Sequence, residues 1–156
     1  MELLPQTFKH KDSLGFLLDV HQPSPQLEIS YNVLANFNQL NKEGVLFVER
    51  TYPFFPQRNF PMFPALHAHS FTGTLVTTSL KTTDQAIKMP NLSKILYLIT
   101  QPEWVVQNFE NSLEIMTNSR IKLVTLQPQI KTLIETKFKV KCNLLDIKDF
   151  MSHEQI

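Results

Sequence analysis

The chain has 156 residues, 42% of them apolar and 19% charged, with 15 Lys and Arg against 14 Asp and Glu. That length holds about one domain, and that balance excludes a disordered chain. A formal net charge of +1 supplies no basic field, so nucleic acid is not an expected partner, although charge alone does not exclude it as an acceptor. The single cysteine, Cys142, forms no internal disulfide, and no apolar run approaches the roughly 18 residues of a membrane span, so a reduced, cytoplasmic setting without a membrane partner is expected.

In chain order, residues 1–13 read as an N-terminal extension with no basic segment leading an apolar core, so no leader is expected. The first β-rich run is Gly15 to Val20 (GFLLDV). Ser24-Pro25 then opens a helix in which Leu27, Tyr31, Leu34, Phe37 and Leu40 recur at three- and four-residue steps, ending before Gly44. A second strand follows at Val45 to Glu49 (VLFVE).

Arg50 to Gly73 (RTYPFFPQRNFPMFPALHAHSFTG) interrupts the regularity, because Pro53, Pro56, Pro61 and Pro64 break a helix. Pro64 can still start a short helical turn through Ala65, Leu66 and Ala68. This run reads as a rigid connection whose aromatics are shared between core packing and the rim of a pocket.

Strands are next expected at Thr74 to Ser79 (TLVTTS), Ile95 to Thr100 (ILYLIT), Ile121 to Leu126 (IKLVTL) and Val140 to Leu145 (VKCNLL). Between them, Thr82-Thr83-Asp84-Gln85 and Thr100-Gln101-Pro102-Glu103 have the capping-box form. Leu113 and Met116 continue the second of these helices, and Pro128 opens a last one with Ile130, Leu133, Ile134 and Phe138 on one side. Asn91-Leu92-Ser93 has the form of a glycosylation sequon, to which no role is assigned without secretion.

The strands are nearly continuous in apolar residues, as burial on both faces requires, and they alternate with helices. The expected fold is α/β: a single doubly wound, mostly parallel, six-stranded sheet with helices on both faces, Rossmann-like, over residues 14–149, followed by a tail at 150–156.

Ligands of such sheets bind beyond the carboxyl ends of the strands, where strand order reverses. Geometry alone then nominates Asp19 and His21, Glu49 and Arg50, Ser79, and Gln101, Glu103 and Trp104. The three glycines form neither a dinucleotide fingerprint nor a P-loop, so no nucleotide cofactor is expected. His67-Ala-His69 could share a metal on a strand, but on a helical turn the rings diverge by about 200°. No metal site is expected, and the two histidines stand as hydrogen-bonded structural groups, as a general base or as substrate contacts. No nucleophile elbow is present, and Cys142 in an apolar strand reads as an inert thiol. Trp104 could stack on a sugar or base, or pack in the core.

The segments GVLFVERTYPFF, HAHSFTGTLVTTSL and KILYLITQPEW together resemble the N-terminal Rossmann-type half of GT-B glycosyltransferases, in particular those encoded by large tailed bacteriophages. The resemblance covers roughly residues 15–146. It implies an acceptor-side domain facing a donor-binding half across a cleft, with a host cytoplasmic location for a viral chain. It places the Pro/Phe segment and His67 to Thr72 on the acceptor side, with Glu49 and Arg50 beneath them. The donor half is missing from the sequence, so a second domain, a partner chain or a homodimer is expected to complete the cleft. The alternative is a non-catalytic Rossmann-like module for protein interaction or assembly. No catalytic residue carries over from the family, and His21, Glu49, Arg50, His67, His69, Glu103 and Trp104 stand as substrate-binding candidates.

Overall fold

The computed structural model describes residues 13–21, 24–40, 42–51, 60–101 and 109–146. Within them lie strands β1 (Leu14–His21), β2 (Gly44–Thr51), β3 (Met62–Pro64), β4 (Thr74–Thr77), β5 (Lys94–Leu98), β6 (Ile121–Thr125) and β7 (Asn143–Leu144). The helices are α1 (Pro25–Gln39), α2 (Leu80–Ile87), α3 (Phe109–Met116) and α4 (Pro128–Phe138), with a 3₁₀ helix at Ala65–Ser70.

All the strands join one sheet in the order β3-β2-β1-β4-β5-β6-β7, and every pairing is parallel. The sheet is seven-stranded rather than six-stranded. The additional strand is the edge strand β3, inside the proline-rich connection, where Met62, Phe63 and Pro64 pair with Leu46, Phe47 and Val48. An edge position tolerates Pro64, because proline has no N–H to give to a further strand.

The doubly wound arrangement follows from crossover handedness. The step β1 to β2 goes one way along the sheet and the steps β4 to β5 to β6 go the other, so right-handed connections land on opposite faces. Leu27, Leu34 and Phe37 of α1 pack with Phe16, Leu18, Leu46, Val48 and Val76 on one face. The other face carries Leu17, Phe47, Leu75 and Ile95 beneath Ala68 and Phe71, and Tyr97 and Leu123 beneath Ile115, Ile134 and Phe138. The proline-rich connection serves both layers: Phe60 packs edge-on against Tyr31 of α1 with ring centres 4.9 Å apart, whereas Phe71 packs against Phe47 at 5.4 Å.

Helix starts follow local chemistry. Ser24 caps α1 by accepting the Leu27 N–H, with Pro25 in the first turn. The capping box of α2 lies three residues earlier than Thr82-Thr83-Asp84-Gln85: Ser79 accepts the Thr82 N–H and Thr82 Oγ1 accepts the Ser79 N–H. Threonine here takes the place of the usual Glu or Gln. Pro128 opens α4, which closes on Lys139 in the left-handed conformation at φ 58°.

Three apolar positions expected on inward faces are instead exposed: Leu40, at the C-terminal cap of α1, Leu113 on α3 and Leu133 on α4. Gly73 is required by close approach, since a Cβ there would lie 2.2 Å from the Ser13 carbonyl oxygen, which accepts the Thr74 N–H and starts the β1–β4 ladder. No described helix is long and apolar enough to cross a membrane.

Candidate functional site at the carboxyl edge of the sheet

The chain leaves β1 toward β2 and β3 and later returns to place β4 on the other side of β1, so strand order reverses between β1 and β4. The two ladders of β1 end at different heights. Pairing with β2 continues to His21 opposite Thr51, but pairing with β4 stops at Leu17 opposite Thr77. Above that level β1 and β4 no longer pair, and this is the point at which doubly wound sheets bind their ligands. The Thr78 hydroxyl donates to the Leu17 carbonyl at 3.0 Å and forms the last link between the two strands. On the α1 side, the Gln26 amide donates to Thr100 Oγ1 at 3.1 Å, joining the start of α1 to the end of β5.

On the opposite face of the sheet, beside this junction, lies a charged cluster. Period-two alternation carries the inward face of β1 from Leu17 to Asp19, and that of β2 from Phe47 to Glu49. Lys81, in the first turn of α2, reaches both carboxylates, with Nζ 3.1 Å from Asp19 Oδ1 and 3.2 Å from Glu49 Oε2. The Gln85 amide, one turn further along α2, donates to the same Glu49 oxygen at 3.4 Å. The hydrogen bond to Asp19, then that to Glu49, raises the Lys81 pKa above its ordinary value and so favours its charged form. Asp19 and Glu49 retain about a third of their side-chain exposure and Lys81 about half, so the cluster is open to a ligand.

From this cluster a groove of about 620 Å³ runs between α2 and α3. Among the described residues its floor is Leu80, Ile87 and Ile115, and its polar walls include Asp84, Glu114 and Asn118.

The helix N-termini nearby are capped in part from within. At α2, Ser79 and Thr82 exchange hydrogen bonds, Thr78 N–H also donates to Thr82 Oγ1, and Thr83 N–H goes to the Ser79 carbonyl. At α1, Pro25 has no N–H, Ser24 takes those of Leu27 and Glu28, and Glu28 adds a negative charge to the first turn. These ends supply few backbone donors of the sort that cradle a phosphate.

Of the residues nominated from sequence, Glu49 lies in the cluster, with Asp19 as its partner across Lys81 and Ser79 capping the helix that carries Lys81. His21 and Arg50 are placed by their backbones at the carboxyl ends of β1 and β2, His21 opposite Thr51 and Arg50 opposite Val20. Their side chains, and Glu103 and Trp104 entirely, lie outside the described residues.

His67 and His69 sit on the 3₁₀ helix, where residues two apart diverge by about 240°. His67 is buried and stacks on Phe63, whereas His69 is exposed and its carbonyl accepts the Asn91 amide, near the start of β5 at the other end of the sheet. Among the described residues, no three His, Cys, Asp or Glu side chains are grouped to hold a metal ion. Cys142 lies just before β7 rather than within it, and burial pushes its thiol up to about 11.

Sequence reasoning missed Lys81 and Gln85. One signal was available: a lysine in the first turn of a helix opposes the macrodipole and calls for nearby carboxylates.

No family model, curated protein or solved structure matches the chain. The fold itself defines the class of protein: a Rossmann-like, parallel α/β domain with a polar cluster beside its strand-order reversal.

Proposed function

We propose that this domain binds a hydroxyl-rich ligand at the carboxyl edge of its sheet and serves as the acceptor-side module of sugar transfer from a nucleotide-sugar. The observation that carries the reading is the Asp19–Lys81–Glu49 cluster beside the point where the β1–β4 pairing ends. Among the described side chains the cluster sets two carboxylates around one ammonium, an arrangement that holds its cation internally rather than presenting it to a phosphate. The same set offers acceptors and donors side by side, and a sugar hydroxyl uses both. The self-capped starts of α1 and α2 point the same way, since a donor pyrophosphate needs free backbone amides.

On this reading the donor is held elsewhere, by a second domain, a partner chain or another copy of this chain facing the carboxyl edge. Isothermal calorimetry of the full chain against neutral sugars and nucleotide-sugars tests it. Neutral sugars should bind, Asp19→Asn and Glu49→Gln should each weaken them by about tenfold or more, and nucleoside diphosphates should not bind. Nucleotide binding without sugar binding would refute the assignment.

The second reading is a non-catalytic Rossmann-like interaction module, favoured by the same self-capping, because an interaction module needs no phosphate cradle. Sugar turnover by the chain with a donor-binding partner would exclude it.

A further inference from the structure

We propose that the groove between α2 and α3 is an extended subsite, so that the ligand is an oligosaccharide rather than a single sugar. The inference rests on the carbohydrate reading of the Lys81 cluster. Four observations carry it further.

The groove is continuous with that cluster, since Asp19 and Lys81 line both. It follows α2 from Leu80 to Ile87, about 10 Å of helix and longer than one pyranose ring. Its volume of about 620 Å³ lies in the range of sites that enclose a whole small ligand.

Its chemistry also separates ligand classes. The floor of Leu80, Ile87 and Ile115 is aliphatic, while Asp84 and Glu114 are exposed carboxylates above it and Asn118 is a partly buried amide. An apolar floor beneath acceptor-rich walls suits a pyranose, whose C–H face packs on carbon while its hydroxyls donate to carboxylates. A phosphorylated chain would meet Asp19, Asp84 and Glu114 with Lys81 as the one cation among the described lining residues; that cation is already shared by two carboxylates, and the neighbouring Lys88 is held by Asp84 at 3.5 Å.

The test is a binding series with the full chain, followed by amide chemical shifts: glucose, maltose, maltotriose and longer maltodextrins, with the matching cello- and chito-oligosaccharides. In at least one series affinity should rise by about fivefold or more from monosaccharide to trisaccharide, with shifts spreading along α2 and α3. The double variant Asp84→Asn, Glu114→Gln changes two exposed side chains and should remove that gain while leaving monosaccharide affinity and Tm as they were. Asp19→Asn should weaken all lengths alike.

Monosaccharide binding with no gain from length, or a gain that survives the double variant, would overturn the extended subsite and leave the cluster reading intact. If tetralysine rather than any sugar shifts the α2 and α3 amides, the groove belongs to a basic peptide and the inference falls. If no sugar of any length binds, both readings fall together.

Discussion

Replacing Thr78 by valine removes one hydroxyl and preserves shape, so it isolates the bond that closes the β1–β4 junction. Thr78 is 4% exposed and its hydroxyl donates to the Leu17 carbonyl at 3.0 Å, where the ladder between these strands has ended. Valine leaves no cavity, but it takes a donor from a carbonyl that water does not easily reach. The expected loss is about 1–2 kcal/mol, within the range for a buried hydrogen bond and the acceptor it leaves behind. For a domain of this size that is a fall in Tm of about 2–8 °C.

Urea denaturation should show a lower midpoint at unchanged slope, meaning that stability changed and compactness did not. Thr78→Ser keeps the hydroxyl and loses a buried methyl, so its cost of about 0.5–1.5 kcal/mol has a different origin. Valine is otherwise favoured in a buried, extended segment. A Thr78→Val protein as stable as the parent, or more so, would therefore refute the hydrogen bond's role at the junction.

Gly73→Ala should cost about 3 kcal/mol, the upper end of overpacking penalties, because the new Cβ meets a backbone oxygen of Ser13 that no side-chain rotation can move; a urea midpoint within error of the parent would contradict this. The Glu135 carboxylate is held below its ordinary pKa by the Cys142 N–H at 3.1 Å and then by Lys131 at 3.2 Å. Its folded pKa is depressed, so its contribution is present above the unfolded value and lost as pH falls through the folded one. Glu135→Gln should lower Tm at neutral pH and flatten the loss on the acid side of the ordinary glutamate range, whereas parallel acid profiles would remove this linkage. Burial raises the Cys142 thiol to about 11, so a thiol reagent at neutral pH should label it only after unfolding; rapid labelling of the native chain would show an open site.

Much of the fold was legible because buried parallel strands leave long apolar runs that helix signals separate. Gly15 to Val20 and Ile95 to Thr100 announce themselves this way, and Ser24-Pro25 and Pro128 mark the starts of α1 and α4. β3 was hidden because three residues ending in proline carry no period, and its pairing with β2 is a tertiary fact. The capping box of α2 was read at Thr82 because Asp84 and Gln85 imitate the usual acidic or amide partner, whereas the structure uses the shorter hydroxyl of Thr82 itself. Leu113 and Leu133 fit an apolar period and still face outward, since period fixes a stripe but not its width.

For the site, strand ends pointed to Asp19 and Glu49. What binds them together, Lys81, comes from a helix that packs against β1 and lies far from both in sequence, so no local pattern displays the cluster.

The most direct test of the carboxyl-edge site is an amide chemical-shift map of the full chain titrated with a neutral oligosaccharide that binds it. The account predicts that the largest changes fall on Asp19, Glu49, Lys81 and Gln85, and that Lys81→Met abolishes them without unfolding the sheet. Changes centred on the start of α1, or at the opposite end of the sheet around His69 and Asn91, would contradict it.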